Sequence, residues 1–458
     1  MLATGLDLAG ASDLVLLLLS NHLVVFPFAL RYPSNISLDN YVMARVHISI
    51  CFILVINFSI TTLYLPFPGD LCLTGDERRT ESTFMSQCSD SPLAVLQGEP
   101  LYTRREIVQQ PLLWPTTLLR VQDASERLGL AKMLNGTRVL LTGAGSSAYA
   151  ASSVASAWPR SIAVPTTDLL VDPDRYLREI DVVVSLARSG NSPESVAVVD
   201  LIRHTRPEIL QLAITCNADG ALARSGLTGL IVLDPRTNDR SLVMTSSFSN
   251  MVLAGLRLAE ADDLLVSVEQ AIASMHLLLP AIEEKCRRVA ARTNERIVVL
   301  ASSPLLGWAA EAGLKVLEMT GGRFPMIAET YLGLRHGPMS FVRGDSLVVC
   351  LLSRDPLRRL YEIDLIRELR SKMLGHLVGI TSPEQHFGSD EHDGLFDEII
   401  PAIAPQAPDM VRTPFEIVIP QLLGYHLSLS VGLNPDNPSP SGVINRVVQS
   451  FSIHLNKS

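Results

Sequence analysis

The chain has 458 residues, a formal net charge of −9 and only 5% aromatic residues. This length is enough for two or three domains with a large core. The acidic balance and the scarcity of aromatic side chains exclude nucleic acid as an expected partner. The 6 cysteines are far apart and form no CxxC pair, which disfavours a disulfide framework or a metal cage and predicts a reducing, cytoplasmic location.

Residues 1–84 differ in composition from the rest of the chain. They contain two apolar stretches, 14–30 and 48–66, and the second has no charge and nearly the length of a membrane span. Asp7 and Asp13 disfavour a secretory signal. Three interpretations stay open: translation that begins at Met85, a membrane-anchoring segment, or a cleaved leader. We expect the first, so a membrane is a partner only if residues 48–66 belong to the protein.

The rest of the chain alternates between predicted helices and strands. An amphipathic helical segment spans about 97–130, and a small-residue helix at 148–158 and another helix at 248–259 follow. Predicted strands lie at 138–141, 162–164, 182–186, 211–215 and 230–233. Because the strands are apolar throughout and alternate with helices, they predict a parallel sheet covered on both faces. A long helix at about 261–292 ends this series.

A second series repeats the first in order and spacing. Its strands at 295–299, 345–350 and 375–381 match those at 137–141, 181–186 and 209–215. The predicted fold class is therefore α/β, with two tandem doubly wound, flavodoxin-like parallel-sheet domains. The predicted divisions are a helical segment at 85–130, a first domain at 131–270, a second at 285–430, and a C-terminal tail at 431–458 that closes the active site.

Two loops of small residues follow strands of the first series, and each precedes a predicted helix. They are Gly143-Ala144-Gly145-Ser146-Ser147 and Ser189-Gly190-Asn191-Ser192, the latter preceded by Arg188. Serine hydroxyls and free N–H groups at a helix N-terminus can hold a phosphate. In the second series the matching strand is followed by Leu352-Ser353-Arg354-Asp355-Pro356, so only the first series is predicted to bind phosphate.

Other interpretations of the two loops remain. The first fits a G-x-G-x-x-A dinucleotide fingerprint, with Asp168 near the required acidic position, or a plain structural turn. The second fits a simple helix cap by Ser192, with Pro193 in the first turn. Two serine-rich loops at strand ends of one domain favour a phosphorylated small molecule over these.

A charged face marks the predicted helix at 309–319. Glu311, Lys315 and Glu318 are spaced i, i+4 and i+7, so they share one face of a helix that is otherwise apolar. A solvated salt-bridge stripe is the plain interpretation. A buried helix instead requires its charges to have partners or a function, and a carboxylate beside an ammonium can move protons. His336, on a tight turn at 335–338, is the next candidate, although a lone histidine is more often structural.

Together with Asn445-Arg446-Val447-Val448-Gln449, these motifs resemble a double sugar-isomerase (SIS) domain protein. The similarity runs from about Gln97 to His454 and is greatest to the tagatose-6-phosphate ketose/aldose isomerase family, whose members act as galactosamine-6-phosphate deaminase/isomerases. The isomerase half of glucosamine-6-phosphate synthase is a more distant relative. It has a C-terminal lysine where this chain has Gln449, and a glutaminase domain that this chain lacks, so the resemblance favours release of ammonia.

The resemblance implies a role for each candidate residue. Glu318 is the base that moves a proton between C1 and C2, with Glu329 the next candidate, and Lys315 and Glu311 tune it. His336 assists ring opening. If it does so in the active site of a neighbouring subunit, the protein must be a homodimer. No metal or organic cofactor is required. The implied phosphate- and substrate-binding residues are Ser146, Ser147, Arg188, Ser189, Ser192 and Gln449.

The expected function is therefore conversion of a hexosamine 6-phosphate, with galactosamine 6-phosphate as the expected substrate, to a ketose 6-phosphate and ammonia. The residues themselves do not distinguish the galacto from the gluco epimer. Two alternatives remain: an aldose–ketose isomerase that does not deaminate, and a sugar-phosphate-binding regulator without chemistry. Regulators of this kind usually carry a basic helix-turn-helix, and no such segment is visible in the sequence.

Overall fold

This computed structural model describes residues 101–292, 294–382, 394–448 and 452–454, and the backbone of 16–19 and 22–25. The chain divides into two compact units, Met1–Glu77 and Arg78–Ser458. In the first unit, β1 (Leu16–Leu19) and β2 (His22–Val25) form an antiparallel pair. The apolar stretch at 48–66 and the expected start at Met85 lie outside the described residues.

The second unit consists of alternating helices and strands. Its strands are β3 (Val139–Gly143), β4 (Ser161–Pro165), β5 (Val182–Ala187), β6 (Leu210–Thr215), β7 (Gly229–Val232), β8 (Arg296–Leu300), β9 (Met326–Glu329), β10 (Ser346–Leu351), β11 (His376–Thr381) and β12 (Glu398–Pro401). Its helices are α1 (Tyr102–Val108), α2 (Gln110–Leu128), α3 (Leu130–Leu134), α4 (Ser146–Ala155), α5 (Thr166–Val171), α6 (Pro173–Leu177), α7 (Pro193–Thr205), α8 (Ser246–Leu258), α9 (Leu264–Ala290), α10 (Leu306–Met319), α11 (Tyr331–Leu334), α12 (Pro356–Ser371), α13 (Asp409–Glu416) and α14 (Val418–Ser430).

The strands form two five-stranded sheets with the same order. The first is β4-β3-β5-β6-β7 and the second is β9-β8-β10-β11-β12, and neighbouring strands pair parallel throughout. This is the 2-1-3-4-5 order of a flavodoxin-like sheet. Every residue of β3, β5 and β10 is buried, as the continuous apolar runs predict. The predicted fold class is confirmed, while the predicted domain boundaries stay predictions.

Several element ends differ from the sequence-based expectation. The helix predicted at 148–158 begins at Ser146 and ends at Ala155, and the helix predicted at 309–319 begins at Leu306. Gly145 has a φ of 56°, in the left-handed region that favours glycine, and it turns the chain directly into α4. Both serines of the first loop consequently lie in the first turn of α4.

The long helix predicted between the two series is α9. Among the residues that the structure describes, it is the one helix long and apolar enough to cross a membrane by length and composition. Its buried positions recur every three or four residues and pack into the main core, which is how an amphipathic core helix packs. These positions include Leu264, Val268, Ala271, Met275, Leu279, Ile282 and Cys286.

Helix α4 of the first series and helix α10 of the second pack closely against each other. A Cβ atom on Gly307 of α10 would lie 2.2 Å from Ser153 Oγ and 2.9 Å from the Tyr149 carbonyl oxygen of α4. We therefore expect Gly307→Ala to lower the free energy of unfolding by about 1–3 kcal/mol, because the helices must separate. Urea unfolding measures this; Gly344→Ala, where the nearest atom to a Cβ is 3.8 Å away and the backbone φ is not positive, is the matched control and should change the free energy little. If Gly307→Ala left the free energy of unfolding unchanged, the close contact between α4 and α10 would be contradicted.

An ion pair joins α1 to α9. Arg104 donates two hydrogen bonds to the Glu283 carboxylate, at 2.6 Å and 2.8 Å, and His426 Nε2 of α14 lies 3.6 Å from Glu283 Oε1. Burial raises the pKa of Glu283, but the neighbouring His426 ring and the hydrogen bonds and charge of Arg104 outweigh it and lower that pKa to about 2. A carboxyl whose folded-state pKa is lowered stabilises the fold above its unfolded pKa, and this contribution disappears as the pH falls through the folded value.

We expect Glu283→Gln to reduce the free energy of unfolding at pH 7 by about 1–2 kcal/mol, after allowance for solvent screening. The difference from the wild type should shrink between the ordinary carboxyl pKa and about 2, the folded pKa of Glu283. Urea unfolding over a pH series measures this. Glu284→Gln, at the exposed neighbouring position, is the matched control and should change little. If the difference in free energy of unfolding between the wild type and Glu283→Gln did not depend on pH, the lowered pKa of Glu283 would be contradicted.

Candidate active site

The first serine loop connects β3 to α4 at the carboxyl edge of the first sheet. A Cβ atom on Gly143 would lie 2.6 Å from the backbone carbonyl carbon of Ser147, so glycine allows the helix to start directly against the strand. Ser146 and Ser147 are both buried in the first turn of α4. The positive dipole end of α4 and the two hydroxyls share one helix end, which is suited to an anion.

The second serine loop, 189–192, connects β5 to α7 and is held by the loop that follows β6. Asn217 Nδ2 donates to the Ser189 carbonyl oxygen at 2.9 Å, and the Ala221 N–H donates to Asn191 Oδ1 at 2.9 Å. Ser192 is the N-cap residue of α7, but its hydroxyl makes no capping hydrogen bond. The predicted cap position is confirmed, with Pro193 in the first turn, but the Ser192 hydroxyl does not cap the helix and is available to a ligand.

Both loops line one cavity of about 170 Å³. The cavity brings together most of the predicted site residues, and its wall is completed by Glu318 of α10 and by residues 445–448. The predicted residues that line it are Ser146, Ser147, Arg188, Ser189, Ser192 and Glu318. Glu194, which the sequence analysis did not single out, also lines it and is 5% exposed.

Lys315 lies at the centre of a charged cluster beside the cavity. Its Nζ atom is 2.5 Å from Glu318 Oε2, 3.2 Å from Glu311 Oε1 and 3.2 Å from Ser146 Oγ. The side chains of Lys315 and Glu311 are 0% exposed, whereas that of Glu318 is 23% exposed. The interpretation as a solvated salt-bridge stripe is therefore wrong: two charges are buried, and the third reaches the cavity.

Burial and charge act in opposite directions within this cluster. Burial and the nearby Glu318 carboxylate raise the pKa of Glu311 while Lys315 opposes the rise, and the resulting pKa is about 7. Burial alone would lower the pKa of Lys315, but the two carboxylates outweigh it and raise that pKa above its usual value. Lys315 thus stays an ammonium, and it holds Glu318 at the cavity wall by a charge-assisted hydrogen bond.

Arg188 holds the segment that closes the cavity. Its guanidinium donates to the Leu242 carbonyl oxygen at 2.9 Å and to the Arg446 carbonyl oxygen at 2.7 Å. Arg446 in turn donates to the Asp239 carbonyl oxygen at 3.0 Å and to Asn238 Oδ1 at 2.7 Å. In this structure, Arg188 therefore fixes residues 445–448 over the cavity; its predicted contact with phosphate stays a prediction.

Two carboxylates that support this arrangement were missed by the sequence analysis. Asp239 accepts the N–H groups of the residues that begin α8, Thr245, Ser246 and Ser247, at 2.8 Å, 3.1 Å and 2.9 Å. Asp436 accepts the N–H groups of Tyr102 and Thr103 at 2.9 Å and 2.7 Å, so it caps α1. Each carboxylate caps the N-terminus of a helix from outside that helix, Asp239 from a nearby loop and Asp436 from the other end of the chain. For Asp239, the Thr-Ser-Ser run at 245–247 was the only local signal in the sequence.

The structure leaves three of the candidates outside this cavity. His336 is exposed on the turn after α11 and does not line the cavity of its own chain, and Glu329 accepts the Thr330 N–H at 2.7 Å. Asp168 is exposed on α5, so the acidic residue of the dinucleotide interpretation is not at this site. Gln449 lies outside the described residues.

A larger cavity of about 790 Å³ lies at the amino ends of β3 and β4. It is lined by several charged residues, among them Arg138, Arg160 and Glu179, but by none of the predicted site residues. Ligands of doubly wound sheets bind beyond the carboxyl ends of the strands, where the smaller cavity lies. We therefore take the smaller cavity as the active-site candidate.

Comparison with known proteins bears on the whole second unit. Residues 132–284 match the SIS domain family. A D-galactosamine-6-phosphate deaminase of Escherichia coli O157:H7 is 33% identical over 383 residues, which cover 80% of this chain and 98% of that protein. A Streptomyces coelicolor protein provisionally given the same name is 39% identical over 380 residues, 77% of this chain and 95% of that protein. The crystal structure of tagatose-6-phosphate ketose/aldose isomerase from Escherichia coli has a TM-score of 0.68 at 29% identity, covering 80% of this chain and 98% of that chain.

Proposed function

The chain belongs to the D-galactosamine-6-phosphate deaminase family of SIS-domain proteins, and from that membership we propose that it converts galactosamine 6-phosphate to tagatose 6-phosphate and ammonia. It is an enzyme of the sugar-phosphate deaminase and isomerase class. The observation that carries the proposal is the position of Glu318: this carboxylate faces the cavity that both serine loops line. The proposed phosphate-binding loops and the proposed general base thus line the same small cavity.

The phosphate end of the substrate is proposed to lie between α4 and α7. Ser147, Ser189 and Ser192 supply hydroxyl donors, and the N-termini of the two helices supply positive dipole ends. Arg188 and Arg446 add positive charge to the same wall. Such a site recognises a phosphate monoester without a metal ion.

The proton chemistry follows from the position of Glu318. With the phosphate anchored and the sugar ring open, Glu318 takes the proton from C2, the C2–H electron pair forms the C1=C2 bond of an enolamine, and the C1=O π pair moves to O1, which takes a proton from solvent. Glu318 returns its proton to C1 while the nitrogen loses a proton to solvent, which leaves an imine at C2. Water then adds to that imine, the C2–N bond breaks, and the products are the ketose phosphate and ammonia. Lys315 Nζ lies 2.5 Å from the Glu318 carboxylate and positions it at the cavity wall.

A shared site in a homodimer is part of the proposal. His336, the residue expected to assist ring opening, is exposed and does not line the cavity of its own chain, which supports delivery to the cavity of a second copy. A cytoplasmic location is likewise proposed. It is supported by Cys216, Cys286 and Cys350, which are buried free thiols among the described residues.

Incubation with galactosamine 6-phosphate, followed by assays for ammonia and for ketose 6-phosphate, tests the proposal directly. Equimolar ammonia and ketose are expected, and glucosamine 6-phosphate in parallel reports the epimer preference. Conversion of an aldose 6-phosphate to its ketose, with no ammonia from either amino sugar, would instead identify an isomerase. Tight binding without any product would identify a regulator.

We expect the double change Ser189→Ala and Ser192→Ala to raise KM by about 100-fold or more, because hydrogen bonds to a charged group contribute about 1.5–3 kcal/mol each. Steady-state kinetics with galactosamine 6-phosphate measure this. Ser156→Ala, at the far end of α4, is the matched control, since Ser156 Oγ donates to the Ser153 carbonyl oxygen and does not line the cavity. A KM within about twofold of the wild type would remove these loops from phosphate binding.

A further inference from the structure

The second sheet carries a loop in the same position as the second serine loop of the first sheet. Residues 352–355 follow β10 and precede α12, as residues 188–192 follow β5 and precede α7. Strands β10 and β5 are both the third strand of the shared 2-1-3-4-5 order. The two loops therefore occupy equivalent places at the carboxyl edges of their sheets.

The donors of this second-sheet loop are already occupied. Asp409, the first residue of α13, accepts the Ser353 hydroxyl and also the Arg354 N–H at 2.9 Å. The Ser353 N–H donates to Glu362 Oε2 at 2.8 Å. Ser353 is 1% exposed and Asp409 is 8% exposed, so water does not compete freely for these groups.

A buried cation completes the surroundings of the Asp409 carboxylate. Arg412 donates to Asp409 Oδ1 at 3.0 Å and to the Leu352 carbonyl oxygen at 2.8 Å, and its side chain is 1% exposed. The carboxylate is therefore surrounded by a hydroxyl, a backbone N–H at a strand-to-helix turn, and a guanidinium. These are the donor types that bind phosphate and sulfate in proteins.

We propose that the loop at 352–355 is an oxyanion-binding site whose ligand is the chain's own Asp409 carboxylate, and that inorganic phosphate binds there when that carboxylate is removed. A tethered carboxylate has a high effective concentration, so it excludes free phosphate in the native protein. The inference depends on the fold and on these contacts, and it is independent of the proposed reaction.

The tethered carboxylate also bears on the active site through α13 and α14. Asp409 begins α13, and α14 follows and packs against α10, where a Cβ atom on Gly424 would lie 3.4 Å from the Lys315 carbonyl oxygen. An anion at the second-sheet loop therefore fixes the start of the helix pair that supports α10. In the native chain this support needs no external ligand.

The experiment uses the full chain with Ser189→Ala and Ser192→Ala, so that phosphate binding at the first sheet is weakened by the loss of both hydroxyls of the second serine loop. In this background, Asp409→Ala should lower Tm, and about 50 mM phosphate should raise it by at least about 3 °C more than chloride of equal ionic strength. The background with Asp409 intact should show a smaller difference. Asp409→Asn, whose amide still fills the site, is the matched control and should respond less than Asp409→Ala.

An equal response with and without Asp409, or no response in the Asp409→Ala protein, would overturn the proposal. If the Asp409→Ala chain does not accumulate in folded form, it is refolded from urea in phosphate and in chloride. Recovery in phosphate alone supports the proposal, and equal recovery, or none in either buffer, overturns it. Because all chains carry the serine changes, the result does not depend on whether the enzyme deaminates a sugar phosphate.

Discussion

Glu318→Gln is expected to lower kcat by about 100-fold to 10,000-fold with little change in the fold, because a positioned general base contributes about that much. Glutamine keeps the size of the side chain, and Glu318 is 23% exposed at the cavity wall, so the packing of α10 stays intact. The measurements are steady-state ammonia release and, in deuterated water, exchange of the C2 proton of galactosamine 6-phosphate. Both should fall together, since both need the same proton transfer.

Glu329→Gln is the matched control for this prediction. Glu329 ends β9, accepts the Thr330 N–H at 2.7 Å and does not line the cavity. The Glu329→Gln enzyme should therefore keep most of the wild-type activity. If Glu318→Gln kept near-normal turnover and Glu329→Gln lost most of it, the base would be Glu329, and the cavity lined by Glu318 would not be the active site.

Lys315→Met is expected to lower the free energy of unfolding by about 3–5 kcal/mol and to abolish activity, because it leaves the buried Glu311 carboxylate without its cation and Glu318 without the ammonium that holds it. Glu311 is 0% exposed and lies 3.2 Å from the Lys315 ammonium. Its pKa is already raised to about 7 by burial, and loss of the lysine raises it further. A folded-state pKa above the unfolded value means that stability falls as the pH rises, so the variant should be more stable at pH 6 than at pH 8.

Urea unfolding at these two pH values measures the effect. The double variant Lys315→Met and Glu311→Gln removes the buried charge and should recover much of the stability without recovering activity. This separates the structural role of the ion pair from its role beside Glu318. A single Lys315→Met protein as stable as the wild type at pH 8 would show that the cluster is not buried as described.

The residues that carry the strongest local patterns were predicted from sequence. Strands such as β5 and β10 are continuous apolar runs, and the two serine loops are marked by glycine and hydroxyl residues. The spacing of Glu311, Lys315 and Glu318 gave their common helix face. In each case the signal is local, because backbone geometry and side-chain periodicity act over a few residues.

The supporting contacts were not predictable in this way. Arg188 donates to the Arg446 carbonyl oxygen 258 positions away, and Asp436 caps α1 across more than 300 positions. Such pairs are created by the tertiary fold, and one sequence contains no signal for them. The edge strands β9 and β12 are short and partly exposed, so their apolar pattern is weak.

The 3.2 Å contact between Lys315 Nζ and Ser146 Oγ has a consequence for the timing of the reaction. Since the ammonium donates to Oγ, the hydroxyl proton of Ser146 is directed toward another acceptor. A phosphate that accepts this proton polarises the hydroxyl and strengthens its attraction for the ammonium. Phosphate binding and the position of the Glu318 carboxylate are therefore linked through the single Lys315 ammonium. A sugar without phosphate would lose this link as well as its anchor, so the base is positioned for reaction only while the phosphate is held.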